Sequence, residues 1–450
     1  MKKTVVIDVV GLSSNLIGSY TPFLKKYSEE KNLQTIAPML PAVTTAVQST
    51  YLTGKTPSEH GIVGNGWYDH TDAEIKFWKQ SNKLVLVDKI WDRAKKEDPN
   101  FTCSNMFWWY NMYSNADYSV TPRPNYLADG RKMPDCYSEP AELRDLLQDK
   151  LGQFPLFQFW GPGANIKSTK WIADAAIITD EQYDPTLTLI YLPHLDYCLQ
   201  KFGHDFSKIG KELTEVDQVV EGLVRHYEKQ GANIIILSEY GIVPVRQPIH
   251  LNRLFRENNL LQIRVERGLE LLDAGASKAF VVADHQVAHI YINDPSVKEL
   301  VKSILEKAAG IALILDEAGK QKYGIDHSRA GDFVVLAAPE SWFTYYFWLD
   351  DAVAPDYARC VDIHKKPGYD PVEMFMSSKA RAGYKLLRKK AGFRYVMDVI
   401  PLDATLIGGS HGSVDTPAEF HPVLITDKAL NSENQPATGV YDIIWKALHQ

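Results

Sequence analysis

The stretch Thr186–Ser238, "TLTLIYLPHLDYCLQKFGHDFSKIGKELTEVDQVVEGLVRHYEKQGANIIILS", decides the fold. It opens on "TLTLIYL" (Thr186–Leu192) and closes on "NIIILS" (Asn233–Ser238). Both are continuous apolar runs, as expected for strands buried on both faces. Between them Leu213, Val216, Val220, Leu223, Val224 and Tyr227 recur at helical spacing, and Gly231 lies just past the end. Strand, helix, strand at this spacing is a βαβ unit, and it predicts a parallel α/β sheet. "TVVIDVV" (Thr4–Val10) is a third strand of the same kind. The lysines before it imitate a signal peptide, but the apolar run is short and contains Asp8.

Outward from this unit, residues 277–339 predict a small α+β subdomain. "KAFVVAD" and "VAHIYIN" read as paired strands, "PSVKELVKSILEKAAG" as a helix opened by Pro and closed by Gly, and "IALILD" and "DFVVLAA" as further strands. Residues 101–135 concentrate Phe107, Trp108, Trp109, Tyr110, Tyr113 and Tyr118. They read as an aromatic-rich insert, in the core or as a wall over a pocket. With no Gly/Ser linker and no repeat, residues 1–450 read as one catalytic unit.

Composition narrows the classes. A chain of 450 residues with 45% hydrophobic and 23% charged residues buries a large core. A net charge of −7 argues against a nucleic-acid binder, and the short basic run at Arg388–Lys390 reads as a solvated helix end. No stretch of about 20 apolar residues predicts a membrane span. The scattered Cys103, Cys136, Cys198 and Cys360 form no CxxC pair, so a reducing, cytoplasmic setting is expected.

Ligands of open parallel sheets bind beyond the carboxyl ends of the strands. Asp8 lies near the end of the first strand. Asp196 follows "TLTLIYL", Glu239 and Tyr240 follow "NIIILS", and His411 follows "DATLIGG". Carboxylates and an imidazole converging on one sheet edge predict a divalent-metal site. The stretch "PAVTTAVQSTYLTGKTPSEHGIVGN" (Pro41–Asn65) adds a nucleophile and a phosphate ligand. A metal converts the Thr44 hydroxyl from a weak nucleophile into an alkoxide. Thr44 is expected to cap a helix starting near Thr45, whose N-terminus favours an anion. Asn65 is expected to donate its amide to a phosphoryl oxygen.

This stretch resembles the nucleophile region of the type I phosphodiesterase/nucleotide pyrophosphatase family of the alkaline phosphatase superfamily. The matching residues are Thr44, Thr53-Gly54, Pro57, His60-Gly61-Ile62 and Asn65. The spacing of Asn65 from the threonine picks Thr44 over Thr45. Asp8 resembles the family's first-strand ligand, Asp196 the aspartate of its Asp-x-x-x-His element, "SEYG" its Ser-Asp-His-Gly and "SHGS" its late His-Gly. Two usual histidine ligands are absent: Gln200 and Tyr240 stand in their places. Fewer imidazoles shift the expectation from Zn toward Mn or Mg, as one ion or two. His194 and His204, close in sequence to Asp196, are read as surface histidines or as supports behind the ligands. Asp284, His285 and His289 are read as structural or lid residues.

The resemblance implies an alkaline-phosphatase-like mostly parallel sheet flanked by helices. It implies a metal-dependent hydrolase of small phosphoesters, a phosphodiesterase with a phospho-threonine intermediate. Asp8, Thr44, Asp196, Gln200, Glu239, Tyr240 and His411 are the candidate metal ligands, Thr44 and Asn65 the catalytic pair. Trp67, Trp108, Trp109 and His364 are the candidate substrate contacts. Phosphonate hydrolysis, phosphomutase chemistry and a non-catalytic binding protein on the same fold are the alternatives. Oligomeric state is not legible.

Overall fold

The strand Thr4–Val9, all six residues of it buried, runs through the middle of a nine-stranded sheet in the computed structural model, which describes every residue except Arg394, Ala429 and Asn431. The order is Asn434–Gln435, Asn32–Ile36, Val423–Thr426, Asn233–Leu237, Thr4–Val9, Leu187–Leu192, Cys103–Met106, Tyr118–Pro122 and Cys136–Glu139. The five central strands, from Asn233–Leu237 to Tyr118–Pro122, pair in parallel throughout. Antiparallel pairings flank them.

The βαβ unit forms as the sequence predicts, with Thr4–Val9 seated between its two strands. Its helix spans Phe206–Glu228 and is capped by Asp205, whose carboxylate accepts from the Ser207 N–H at 3.2 Å. The six predicted apolar positions, with Ile209, form its buried face. Each such side chain contributes roughly 1.5–3 kcal/mol when fully buried.

Residues 277–339 hold a separate four-stranded antiparallel sheet in the order Ala279–Asp284, Val287–Ile292, Phe333–Ala337 and Ile311–Leu315. The helix Lys298–Lys307 lies in the same segment.

Three expectations change. Residues 101–135 are not an insert, because Cys103–Met106 and Tyr118–Pro122 are strands of the main sheet. Buried polar residues, Ser104, Asn105, Ser119 and Thr121, interrupt the apolar runs that would have revealed them. His411 does not follow a main-sheet strand; it follows the two-residue strand Gly409–Ser410, which pairs with Val243–Pro244. Thr44 does not cap its helix: Val43 is the N-cap and Thr44 the first helical residue.

Candidate active site

The helix Thr44–Thr53 is buried at every position, although five of its ten residues are Thr or Ser and one is Gln. Burying polar groups without partners is costly, so each hydroxyl needs an acceptor. Ser49 donates to the Thr45 carbonyl and Thr53 to the Ser49 carbonyl, both at 2.7 Å. Thr45 Oγ1 donates to the Gly64 carbonyl at 2.7 Å and is thereby spent. Thr44 Oγ1 instead meets the Tyr240 hydroxyl, at 2.9 Å, and stands beside the Glu239 carboxylate. Of the two adjacent threonines, Thr44 carries the hydroxyl not committed to the backbone.

The "TPSEHG" segment supplies the turn that returns the chain to this helix. Thr56 and Glu59 form a capping box, Pro57 opens the helix Pro57–His60, and Gly61 closes it at φ +77°. His60 is fully buried. The Ile62 N–H donates to its Nδ1 at 3.1 Å, so its Nε2–H donates to Thr50 Oγ1 at 3.0 Å. Burial pushes its pKa down to about 3, so the ring is neutral. His60→Ala leaves a cavity and an unpartnered Thr50; we expect a loss of about 2–3 kcal/mol, read as a lower urea midpoint.

Beyond the turn, Asn65 lies over the helix N-terminus. Its Oδ1 accepts from the Thr45 N–H at 3.2 Å. Its backbone N–H donates to Asp284 Oδ2 at 2.8 Å and its Nδ2 to Asp284 Oδ1 at 3.1 Å. One amide hydrogen of Asn65 remains for a ligand. Asp284 also accepts from His285 Nδ1 at 2.8 Å, which leaves the His285 Nε2 lone pair without a partner. Asp284 and His285 stand at the tip of the hairpin Ala279–Ile292, where His285 turns the chain at φ +62°. Sequence reading set both at the junction of two paired strands and took them as structural or lid residues; their reach to Asn65 and His411 follows from how this hairpin packs.

Three carboxylates converge from three adjacent parallel strands. Asp8 is on Thr4–Val9, Glu239 lies just past Asn233–Leu237, and Asp196 sits in the first turn of the helix His194–Phe202 after Leu187–Leu192. Neither carboxylate oxygen of Asp8 has a hydrogen-bond partner, nor has Glu239 Oε2. Glu239 Oε1 accepts from Gln48 Nε2 at 2.5 Å, and Gln48 Oε1 accepts from the Trp109 N–H at 2.6 Å. Burial, and the Glu239 carboxylate beside it, push Asp8 well above the carboxylate range; burial raises Glu239 as well. Three unpartnered oxygens on two buried carboxylates fit a cation.

Asp196 differs. Its Oδ2 accepts from Gln200 Nε2 at 2.8 Å and its Oδ1 from the Tyr240 hydroxyl at 3.4 Å. Burial, opposed by the Gln200 amide, pushes it up to about 7. Gln200 Oε1 accepts from the Tyr369 hydroxyl at 2.9 Å. His411 donates from Nδ1 to the Ala42 carbonyl at 2.7 Å, and its Nε2 lies 3.7 Å from Asp196 Oδ1. Burial holds its pKa well below the usual imidazole value. Its ring stacks on Tyr240 at 3.6 Å, and the His285 ring lies tilted against it at 3.8 Å.

A cavity of about 1690 Å³ opens above this cluster. Thr44, Asp196, Tyr240 and His285 line it, with Trp78, Trp109, Trp160, Tyr197, Tyr369 and His364 among its walls. Of the four expected substrate contacts, Trp109 and His364 therefore line it. Trp108 does not: it is fully buried in the main core. The left-handed φ of Phe107 (+70°) and Tyr110 (+51°) turns the chain so that the two tryptophans diverge. Trp67 lines a separate, smaller cavity, stacked against the Arg329 guanidinium at 4.8 Å. Trp78 and Trp160 were not anticipated. Trp160 Nε1 donates to Glu373 Oε2 at 2.6 Å, and Glu373 is paired at 2.7 Å with the buried Lys366. Trp160→Ala should weaken binding of a bulky aromatic ligand to this cavity several-fold, by about 1 kcal/mol of lost contact, as read by titration calorimetry.

His194 and His204 do not reach the site. His194 pairs with Glu212 at 2.5 Å, and His204 with the Ile242 carbonyl at 2.7 Å. His289 is structural, held between the Val63 carbonyl and the Gly331 N–H. Among the described residues, His194, Glu212 and Glu215 are the one group of three His, Cys, Asp or Glu whose donor atoms lie within 4.8 Å of one another, and two of them are part-exposed.

The chain is 24% identical over 350 residues to ectonucleotide pyrophosphatase/phosphodiesterase 2 of Saccharomyces cerevisiae, covering 72% of this chain and 61% of that protein. It is 26% identical over 271 residues to an uncharacterized pyrophosphatase/phosphodiesterase of Schizosaccharomyces pombe, covering 58% of this chain and 48% of that one. The chain thus spans about half to three-fifths of the length of these relatives. Among solved structures, phosphonoacetate hydrolase of Sinorhizobium meliloti superposes with a TM-score of 0.62 at 14% identity, over 99% of this chain and 96% of that one. Murine ectonucleotide pyrophosphatase/phosphodiesterase 5 gives 0.59 at 13%, over 100% and 95%. These likenesses establish the alkaline-phosphatase-like α/β fold. Among the described residues no helix is long and apolar enough to cross a membrane. The family model described as type I phosphodiesterase / nucleotide pyrophosphatase matches residues 4–370, and the chain belongs to that family.

Proposed function

We propose that this protein is a metal-dependent phosphodiesterase in which Thr44 attacks phosphorus and forms a phospho-threonine intermediate. The observation that carries the reading is the Thr44 hydroxyl: it lines the cavity, is committed to no backbone acceptor, and stands beside the Glu239 carboxylate. Those two carboxylates, with Thr44, would hold a divalent cation. Such an ion lowers the pKa of the hydroxyl and offsets charge on the phosphoryl oxygens.

The chain's own groups do the rest. Thr44 Oγ1 forms the bond to phosphorus as the ester oxygen leaves. Its proton passes along the hydrogen bond to the Tyr240 hydroxyl, which itself donates to Asp196 Oδ1. Asn65, held by Asp284 and the Thr45 N–H, donates its remaining amide hydrogen to a non-bridging oxygen. Water then attacks the phospho-threonine, releases the monoester and restores the hydroxyl.

The cavity narrows the substrate. About 1690 Å³ exceeds the roughly 300–1,000 Å³ of ordinary small-molecule sites. Its aromatic walls favour a diester or pyrophosphate with a large apolar or aromatic group, in the class of small phosphoesters.

The test is hydrolysis of bis-p-nitrophenyl phosphate by metal-stripped protein resupplied in turn with Zn, Mn, Mg and Fe. Metal-dependent release of one nitrophenol per substrate is expected, together with a nitrophenyl phosphoryl group on Thr44, trapped by acid quench and located by peptide mass. Folded protein without turnover on any diester would overturn the reading and leave a binding protein on this fold.

A further inference from the structure

We propose that this chain binds one hard divalent cation, at Asp8, Glu239 and Thr44, and that a hydrogen-bonded protein network has replaced a second metal at Asp196. The inference rests on reading the site as metal-dependent, and it concerns how many ions are held and by which residues.

The two halves of the site are unequal. Around Asp8 and Glu239, three carboxylate oxygens are buried and unpartnered. With the Thr44 hydroxyl they form an all-oxygen donor set, the kind that suits Mg or Mn better than Zn. Around Asp196 the oxygens are already answered from within the protein. Oδ2 accepts from the Gln200 amide and Oδ1 from the Tyr240 hydroxyl.

Gln200 shows why an ion there lacks ligands. A carboxamide ligates through its oxygen, and Gln200 Oε1 is turned away to accept from Tyr369 at 2.9 Å. The atom facing Asp196 is the amide nitrogen, which has no lone pair to offer. Flipping the amide would place its oxygen against the Asp196 carboxylate. Tyr240 is no substitute. Its hydroxyl is taken up by Thr44 Oγ1 and Asp196 Oδ1, and its ring lies flat on His411. That leaves Asp196 and His411 as the ordinary ligands. Among the described residues, His285 is the one further imidazole with a free Nε2 nearby. Its donor atoms, those of Asp196 and those of His411 do not gather within 4.8 Å of one another.

The network Tyr369–Gln200–Asp196–Tyr240–Thr44 thus fills the role of a second centre structurally: it neutralises the Asp196 carboxylate by hydrogen bonds and orients the Thr44 hydroxyl.

Equilibrium dialysis of chelator-stripped protein against Mn, with metal counted by inductively coupled plasma mass spectrometry, tests this. We expect one Mn per wild-type chain at saturation. Asp8→Asn should weaken it at least about a hundredfold, whereas Gln200→Ala should leave the count at one. The double variant Gln200→His/Tyr240→His, dialysed against Zn, should rise to two. Two ions per wild-type chain would overturn the proposal, and loss of one in His285→Ala would then place the second. No ion on the folded wild type would overturn it as well. One ion without diester turnover would sink the proposed activity and leave this inference standing; two ions with turnover would do the reverse.

Discussion

Thr44→Ala loses diester hydrolysis by at least about 10⁴-fold in kcat, the scale seen when a nucleophile is removed from a preorganised site. The fold should tolerate the change. Thr44 Oγ1 bonds to no backbone group, and on its loss the Tyr240 hydroxyl retains Asp196 and Glu239 retains Gln48. Thermal midpoint should therefore shift by only a few degrees. Thr45→Ala is the informative companion. It breaks the bond to the Gly64 carbonyl and loosens the return of Asn65, so it should cost stability by about 1–2 kcal/mol while leaving turnover measurable. Equal kcat losses in the two variants would show that neither hydroxyl is the nucleophile.

Asp284→Asn should lower kcat/KM by about a hundredfold, the second largest effect expected. The Asp284 carboxylate accepts from the Asn65 backbone, the Asn65 side chain and His285 Nδ1 together. A carboxamide places a donor against one of these donors, so at least one buried N–H loses its acceptor at about 1–3 kcal/mol. Asp284 is a positioning residue acting through Asn65 and His285. If Asn65 is its main client, Asn65→Ala and the double variant Asn65→Ala/Asp284→Asn should have nearly the same kcat/KM. Additive losses would assign Asp284 a role apart from Asn65.

The electrostatics favour an ion over two bare charges. Asp8 and Glu239 are both buried, and the Glu239 carboxylate adds to the cost of charging Asp8. A divalent cation satisfies both. The Asp196 half reaches neutrality by another route, through amide and hydroxyl donors on the helix His194–Phe202 and from Tyr240.

By itself the sequence determined the parallel core and the identity of the strand ends. Continuous apolar runs at Thr4–Val9, Leu187–Leu192 and Asn233–Leu237 specify strands buried on both faces, because no solvent face imposes alternation. The residues just beyond such strands face the binding crevice, which is why Asp8, Asp196 and Glu239 were legible as a group. The motif from Thr44 to Asn65 was legible through its caps and turn glycine, which are local. Only the tertiary structure decided which groups are free. Whether a hydroxyl or carboxylate is spent depends on acceptors far along the chain: Gly64 for Thr45, Gln48 for Glu239, Tyr369 for Gln200. It also decided the second side of the site. The tip at Asp284–His285 and the walls Trp78 and Trp160 come from segments whose local pattern is that of ordinary strand or loop, and their direction is set by packing at long range. Partners in sequence follow from periodicity; partners in space follow from the fold, and the chemistry of this site lies in the second.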